Sequence, residues 1–130
     1  MLGAVANKLG TEVKDEVVRN ALLESFAVHL RSLMDFLWPE KPRDDDVIVE
    51  DFFLDPGVWR KVKPAISDEL QVARVRVNKE VAHLTYARLR VSPEDKKWAF
   101  VSLANEVIGV MQLFRKKAPR EVLGPEWGEP

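Results

Sequence analysis

The chain has no cysteine among its 130 residues, which excludes disulfide bonds and thiolate metal sites. It has only two histidines, so no histidine cluster of the zinc type is present, and we expect no metal site and no cofactor. No stretch reaches the run of about 18 apolar residues that a membrane-spanning helix needs. The first ten residues lack a basic end followed by a long apolar run, so we expect no signal peptide. We therefore expect a cytoplasmic protein with no membrane partner.

The composition is that of a folded chain, with 46% hydrophobic and 32% charged residues. This length fits a single domain, which we expect to span residues 1–130 with loosely ordered ends at 1–10 and 119–130. There is no glycine-rich phosphate loop and no nucleophile elbow, so the common nucleotide-binding and hydrolase motifs are missing.

Charge is unevenly distributed along the chain. Residues 1–55 hold 6 basic and 12 acidic residues, a net charge of −6, whereas residues 56–130 hold 14 and 9, a net charge of +5. Such a chain could present faces of opposite sign to two partners. The interpretation we favour is that the two halves attract each other within one bundle.

Three segments have the apolar spacing of long helices. The first runs from about Thr11, a candidate N-cap, to Trp38, where Pro39 disfavours further helix. The second runs from about Ser67 to Leu89. Its stretch QVARVRV also alternates as a strand would, but no second strand exists to pair with it.

The third helix has the clearest signals. Ser92 is placed as N-cap before a proline and two acidic residues, an apolar stripe runs from Phe100 to Phe114, and Pro119 ends the helix. Between the first two helices, Asp46 could cap a short helix over Val47–Phe53, and one more helical turn is expected near Val58–Val62. The pattern predicts an all-α fold, an up-down helical bundle of three long helices plus one or two short helices.

His29 lies in the middle of the apolar stripe of the first helix. A single histidine in such a place is most often a core residue whose nitrogens bond to neighbours. Ligand binding is the alternative that its chemistry leaves open.

His83 lies on a polar face of the second helix. In a regular α-helix Arg76, seven residues earlier, falls within about 20° of His83 and roughly 10 Å away along the axis. Lys79 and Arg90 share this side. A histidine among cations tends to be neutral and available as a base, and arginine binds phosphate, which together is the chemistry of RNA backbone cleavage. The alternative is a solvated face with an incidental histidine.

The segments RNALLESFAVHLRSLMDFL and NKEVAHLTYAR together resemble helical bundles of the HEPN superfamily. The resemblance covers the first two helices, about half of the chain. It implies a metal-independent ribonuclease site, usually shared across a homodimer, with His83 as the histidine and Arg76 as the arginine. Asn78 would be the polar residue that often follows the arginine, but Val77 intervenes, which departs from the pattern of the family.

Asn78 and Arg88 also have a structural interpretation. Both lie nearer the core side than His83, so each needs polar partners, and Glu24 or Asp35 of the first helix could supply them. The segment NKEVAHLTYAR would then be a packing signature.

Two further groups could bind something. Asp44, Asp45 and Asp46, with nearby acidic residues, could hold a hard cation, but they lack EF-hand spacing and are better explained by capping and solvation. Trp98 is predicted opposite the apolar stripe of the third helix, on the side of Ser102, where an exposed tryptophan would indicate a homodimer interface.

Three functional hypotheses follow. The first is a HEPN-like ribonuclease or toxin-type RNA-binding protein, which as a toxin would also have an antitoxin-like partner. The second is a non-catalytic binding or dimerisation module with a pocket or dimer face that includes His29 and Trp98. The third is a purely structural helical protein.

Overall fold

The fold is described from a computed structural model, which covers residues 1–11, 13–81 and 98–127. These residues contain helices and no strand, so the all-α prediction is confirmed for this part of the chain. None of the helices in these ranges is long and apolar enough to cross a membrane. The α-helices are α1 (Leu2–Leu9), α2 (Glu16–Leu37), α3 (Pro56–Val62), α4 (Asp68–Arg76), α5 (Phe100–Lys117) and α6 (Arg120–Leu123). Short 3-10 turns cover Val49–Phe52 and Pro125–Trp127, and a π-helical turn covers Val77–Val81.

Helix α1 covers Leu2–Leu9, within the end of the chain at 1–10 that the sequence analysis expected to be loosely ordered. Apolar residues at spacings of three and four place Leu2, Val5, Ala6 and Leu9 on one buried face. This face packs against α2 and α5. A Cβ atom at Gly3 would come within 3.2 Å of the Ile108 side chain, so α1 approaches α5 closely at this position. At the other end of the chain, residues 120–127 form α6 and the last 3-10 turn.

Helix α2 begins later than the sequence analysis expected. The carboxylate of Asp15 accepts hydrogen bonds from the backbone N–H groups of Val17 (2.9 Å) and Val18 (3.1 Å), so Asp15 is the N-cap. Thr11 instead donates its hydroxyl to the carbonyl of Lys8 at 2.7 Å, at the end of α1. The end of α2 at Leu37 agrees with the helix-ending effect of Pro39.

The second predicted long helix is shorter and less regular in the structure. Ser67 is its N-cap, as predicted, and its hydroxyl accepts from the N–H of Leu70 at 3.1 Å. The α-helix then ends at Arg76 and continues as the π turn Val77–Val81. The rest of the predicted span, 82–89, lies outside the described residues.

Helix α5 carries the predicted apolar stripe but begins later. Trp98 and Ala99 are not helical, so a continuous helix from Ser92 is wrong at these two positions, and Ser92 itself lies outside the described residues. The buried residues of α5 are Phe100, Leu103, Ala104, Val107, Val110 and Phe114.

Phe114 is the centre of an aromatic core at one end of the bundle. The segment 39–66 supplies several of its neighbours, because the 3-10 turn and α3 bring aromatic rings beneath α5. Asp55 caps α3 by accepting from the N–H of Gly57 at 2.8 Å. The rings within about 6 Å of Phe114 belong to Phe36, Phe52, Phe53, Trp59 and Trp127.

Arg74 joins α4 to the C-terminal end of α2. Its side chain is buried, and Nη2 donates to the carbonyls of Met34 (2.9 Å) and Trp38 (2.8 Å). Its Nη1 pairs with the carboxylate of Glu40 at 2.9 Å. The Met34 carbonyl also accepts from the backbone N–H of Trp38 at 2.8 Å, and a cation at the C-terminal end of a helix is favoured by the helix dipole. Arg74 therefore fixes how α4 lies against α2.

Candidate functional site

The residues that form the candidate site lie where the C-terminal end of α4 meets the start of α5. Arg76 is the last residue of α4, and its guanidinium carbon lies 4.0 Å from the centroid of the Trp98 ring. Trp98 stacks on Phe100 with a centroid distance of 6.3 Å and an interplanar angle of 11°. Phe26 of α2 meets the same ring edge-on at 6.2 Å. The core thus holds the tryptophan in place, and the tryptophan holds the arginine.

The prediction that Trp98 is an exposed residue on the outer side of α5 is wrong. The residue precedes the helix, so helical periodicity does not apply to it, and its ring turns back toward Phe26 and Phe100. It is half-buried. The remaining exposed part of the side chain faces a groove between α4 and α5.

This groove has a volume of about 490 Å³. Its chemistry changes along its length, because Asp68 and Glu69 occupy the first turn of α4 and Arg76 the last. The floor between them is apolar. We call it the Arg76–Trp98 groove, and it is lined by Asp68, Glu69, Val72, Ala73, Arg76, Trp98, Ala99, Ser102 and Leu103.

The π turn that follows Arg76 carries two of the predicted site residues. Lys79 is exposed on it. Asn78 is half-buried, and its Oδ1 has no hydrogen-bond donor within the described residues. Of the partners expected for Asn78, Asp35 pairs with Arg31 at 3.7 Å and Glu24 is exposed. The structure therefore does not bring Asn78 into a pair with α2.

His83, Arg88 and Arg90 lie outside the described residues. The prediction that His83 shares a face with Arg76 assumed a regular α-helix from Ser67 to Leu89, and this assumption is wrong for Val77–Val81. A π turn closes its hydrogen bonds from i to i+5 and so takes more residues than an α turn. Helical turns of this kind occur frequently at functional sites.

His29 is half-buried on α2, one turn after Phe26. It lies at the edge of the buried face of α2, because Phe26 and Leu30 are fully buried whereas Val28 is 60% exposed. It therefore borders the core beside the residue that packs edge-on against Trp98.

The acidic residues of the segment 39–66 are bonded within the protein. The carboxylate of Asp46 accepts from the N–H of Arg43 at 2.8 Å, and that of Asp51 accepts from the N–H of Ile48 at 2.9 Å. Glu50 receives two hydrogen bonds from Arg60, of 3.0 and 2.8 Å. These bonds hold the pKa of the Glu50 carboxyl below its ordinary value, against the opposing effect of burial. No cluster of metal-binding side chains occurs within residues 1–11, 13–81 and 98–127.

A second groove, of about 660 Å³, lies beside the C-terminal end of α2. It is polar, but its carboxylates already have partners: Asp35 has Arg31, Glu40 has Arg74, and Asp46 has a backbone N–H. The groove is therefore a mixed-charge surface without a cluster of one sign.

Sequence reasoning missed two features of this region. Arg74 follows Leu70 by four residues and precedes Val77 by three, and both neighbours are fully buried, so helical spacing could have shown an arginine on the buried face. The sequence analysis assigned no functional role to Asp68 and Glu69. These two residues also line a groove, and whether they do depends on where α5 packs. The residue spacing within α4 does not predict where α5 packs.

Comparisons of the chain with protein-family models, with curated proteins and with solved structures found no match.

Proposed function

We propose that this protein binds single-stranded RNA at the Arg76–Trp98 groove and cleaves it without a metal, as a HEPN-like ribonuclease. In this proposal Arg76 binds the phosphate, His83 is the general base, and Lys79 and Arg90 contact the RNA backbone. The single observation that carries the proposal is the contact between the Arg76 guanidinium and the Trp98 ring, at 4.0 Å. The sequence pattern also predicts an up-down arrangement of three long helices, and the composition predicts a cytoplasmic location; we keep both as parts of the proposal.

Stacking prepares an arginine for phosphate binding. The guanidinium carbon lies 4.0 Å from the ring centroid, a distance typical of stacking, and a stacked guanidinium carries its N–H donors at its edges. An arginine held in this way loses less side-chain freedom when two of those donors bind one phosphate. Aromatic rings beside cations also favour single strands, because an unpaired base can stack on the ring.

The carboxylates of Asp68 and Glu69 weaken phosphate binding only slightly. Glu69 precedes Arg76 by seven residues, which corresponds to about 10 Å along the helix axis. At that distance two unit charges in water interact by about 0.4 kcal/mol. Salt at physiological strength, with a Debye length of about 8 Å, reduces the effect further. Asp68 and Glu69 therefore reduce the attraction between Arg76 and a phosphate only slightly.

The test is cleavage of a mixed RNA pool in EDTA. Wild-type protein should cleave, His83→Ala should not, and Arg76→Lys should cleave weakly, because an ammonium group cannot make the two parallel hydrogen bonds of a guanidinium. Lys61→Ala removes an exposed cation on α3 and is the matched control, with full activity expected. Cleavage that persists in His83→Ala would show that the activity has another source.

A non-catalytic dimerisation module is the second candidate, and one observation favours it. Asp68, Val72, Val75 and Lys79 are all exposed at spacings that bring them close to one stripe of α4 and the π turn. If two copies of this stripe pair antiparallel, Asp68 meets Lys79 of the other copy and the valines meet at the centre. A two-fold interface requires this kind of self-complementary surface. A toxin-type protein would use a further surface for a cognate antitoxin-like protein.

Light scattering over a range of concentrations tests the dimer. Val72→Asp places two like charges at the centre of the interface and should give a monomer. Val17→Asp changes a still more exposed valine on α2 and should leave the mass unchanged. A wild-type protein that is monomeric at every concentration would exclude this candidate.

A further inference from the structure

The two ends of the Arg76–Trp98 groove suit two different parts of one nucleotide. Arg76 suits a phosphate, the exposed part of Trp98 suits the flat face of a base, and the carboxylates of Asp68 and Glu69 suit hydrogen-bond donors on a base edge. We infer that the groove recognises a guanine base of single-stranded RNA, an inference that rests on the proposed RNA-binding function. The guanine lies on Trp98, its amino edge bonds to the carboxylates, and Arg76 binds the adjoining phosphate.

Trp98 is built to act as a stacking platform. Phe100 and Phe26 fix its ring from the core, at centroid distances of 6.3 and 6.2 Å. Arg76 lies over the ring, and a guanidinium and a base both bind an aromatic ring through their flat faces. The base therefore lies on the part of the ring that faces the groove, beside the guanidinium, which stays on the ring and binds the adjoining phosphate through its edge N–H groups. The groove, at about 490 Å³, is within the range of about 300–1,000 Å³ found for small-molecule sites.

The carboxylates select guanine among the four bases. Guanine presents two adjacent donors, N1–H and the N2 amino group, and an ionised carboxylate has two acceptor oxygens to match them. Adenine and cytosine present one amino group beside an acceptor nitrogen, and uracil presents one N–H between two carbonyls, so each places an acceptor against the carboxylate. Hydrogen bonds to an ionised acceptor are about twice as strong as neutral ones.

The same carboxylates act against a phosphate, which sets the orientation of the nucleotide. Asp68 and Glu69 lie in the first turn of α4, where the helix dipole favours negative charge. They supply hydrogen-bond acceptors at one end of the groove, and the guanidinium of Arg76 attracts the phosphate to the other. A nucleotide bound in the reverse direction would place a phosphate beside two carboxylates.

The experiment measures binding separately from cleavage. Wild-type protein is titrated, in EDTA, with the 2′-O-methyl pentanucleotides UUGUU, UUAUU, UUCUU and UUUUU, which lack the hydroxyl nucleophile and cannot be cleaved. Tryptophan fluorescence reports stacking. UUGUU should bind at least several-fold more tightly than the other three and quench the fluorescence most. Trp98→Ala should weaken its binding by about 5- to 100-fold, the usual effect of losing one stacked base.

Matched variants separate the parts of the site. Trp98→Phe keeps a flat ring and should retain most of the affinity, so it shows whether the loss in Trp98→Ala comes from the missing ring or from a folding defect. Trp127→Phe is the control for a fluorescence change that comes from another tryptophan. Asp68→Asn with Glu69→Gln should remove the preference for UUGUU while UUAUU binds as before. Equal affinity for all four oligonucleotides, or a guanine preference that survives the double variant, overturns this inference alone. No binding of any oligonucleotide overturns the proposed function together with it.

Discussion

Replacing Arg74 by methionine should destabilise the fold strongly, although the residue lies outside the candidate site. Methionine keeps an unbranched apolar stem in the same buried space, but it cannot bond to the carbonyls of Met34 and Trp38, which Arg74 reaches at 2.9 and 2.8 Å. A hydrogen bond from a charged group contributes about 1.5–3 kcal/mol to the free energy of unfolding. Losing both bonds should therefore lower that free energy by about 3 kcal/mol at the low end of this range. A domain of this size is stable by about 5–15 kcal/mol, so the loss is a large share of the total.

The ion pair with Glu40 contributes less than the carbonyl bonds. The Glu40 side chain is 65% exposed, so its charge is largely solvated without Arg74. Such pairs contribute about 0–1 kcal/mol. Glu40→Gln is therefore the matched control, and it should change the free energy of unfolding by less than about 1 kcal/mol.

Urea unfolding followed by circular dichroism measures both variants. With a urea dependence of about 1.5–3 kcal/mol per molar, Arg74→Met should lower the midpoint by roughly 1–2 M, whereas Glu40→Gln should barely move it. A loss in Arg74→Met below about 1 kcal/mol would show that the end of α2 does not depend on these bonds. Equal losses in the two variants would assign the effect to the ion pair.

Three further predictions use the same unfolding assay. Leu9→Ala should cost about 2–5 kcal/mol because the side chain is buried in α1, whereas Leu54→Ala, at a residue that is 99% exposed, should have almost no effect. Asp15→Ala should lower the free energy of unfolding by about 1 kcal/mol because it removes an N-cap, and Thr11→Ala should lower it clearly less. The opposite order would show that α2 begins at Thr11 and not after Asp15. Glu50→Gln should be less stable than wild type at neutral pH, and the difference should vanish as the pH falls through the lowered pKa of the carboxyl, below its ordinary value of 4.5.

Local signals predicted several of the helix ends. The cap at Ser67 depends on a side chain and the backbone three residues later, and the end of α2 depends on Pro39, so each is set by neighbours in sequence. The cap of α2 was placed wrongly at Thr11, because the segment offers two candidates and the stronger one, Asp15, lies closer to the apolar stripe. Which of two nearby N-cap candidates begins the helix depends on where the helix packs against the rest of the protein.

Features that depend on contacts between residues far apart in sequence were harder to predict. The buried face of α1 is only eight residues long, and a short segment of this kind becomes stable only when α2 and α5 cover it. Trp98 was placed by helical periodicity, which fails because the residue lies before the helix. Arg76 was identified as a site residue, but its contact with Trp98 joins positions 22 residues apart, which no local pattern predicts.

The π turn at Val77–Val81 makes chain length a determinant of the site. It holds more residues than an α turn, so removing one residue, for example Asn78, would allow an ordinary helix over the same stretch. Because the wider turn absorbs one residue more than an α turn, the positions after the deletion would keep nearly the same direction relative to Arg76. A one-residue deletion in these five residues would thus remove the turn itself, while the core on either side keeps both its sequence and its face.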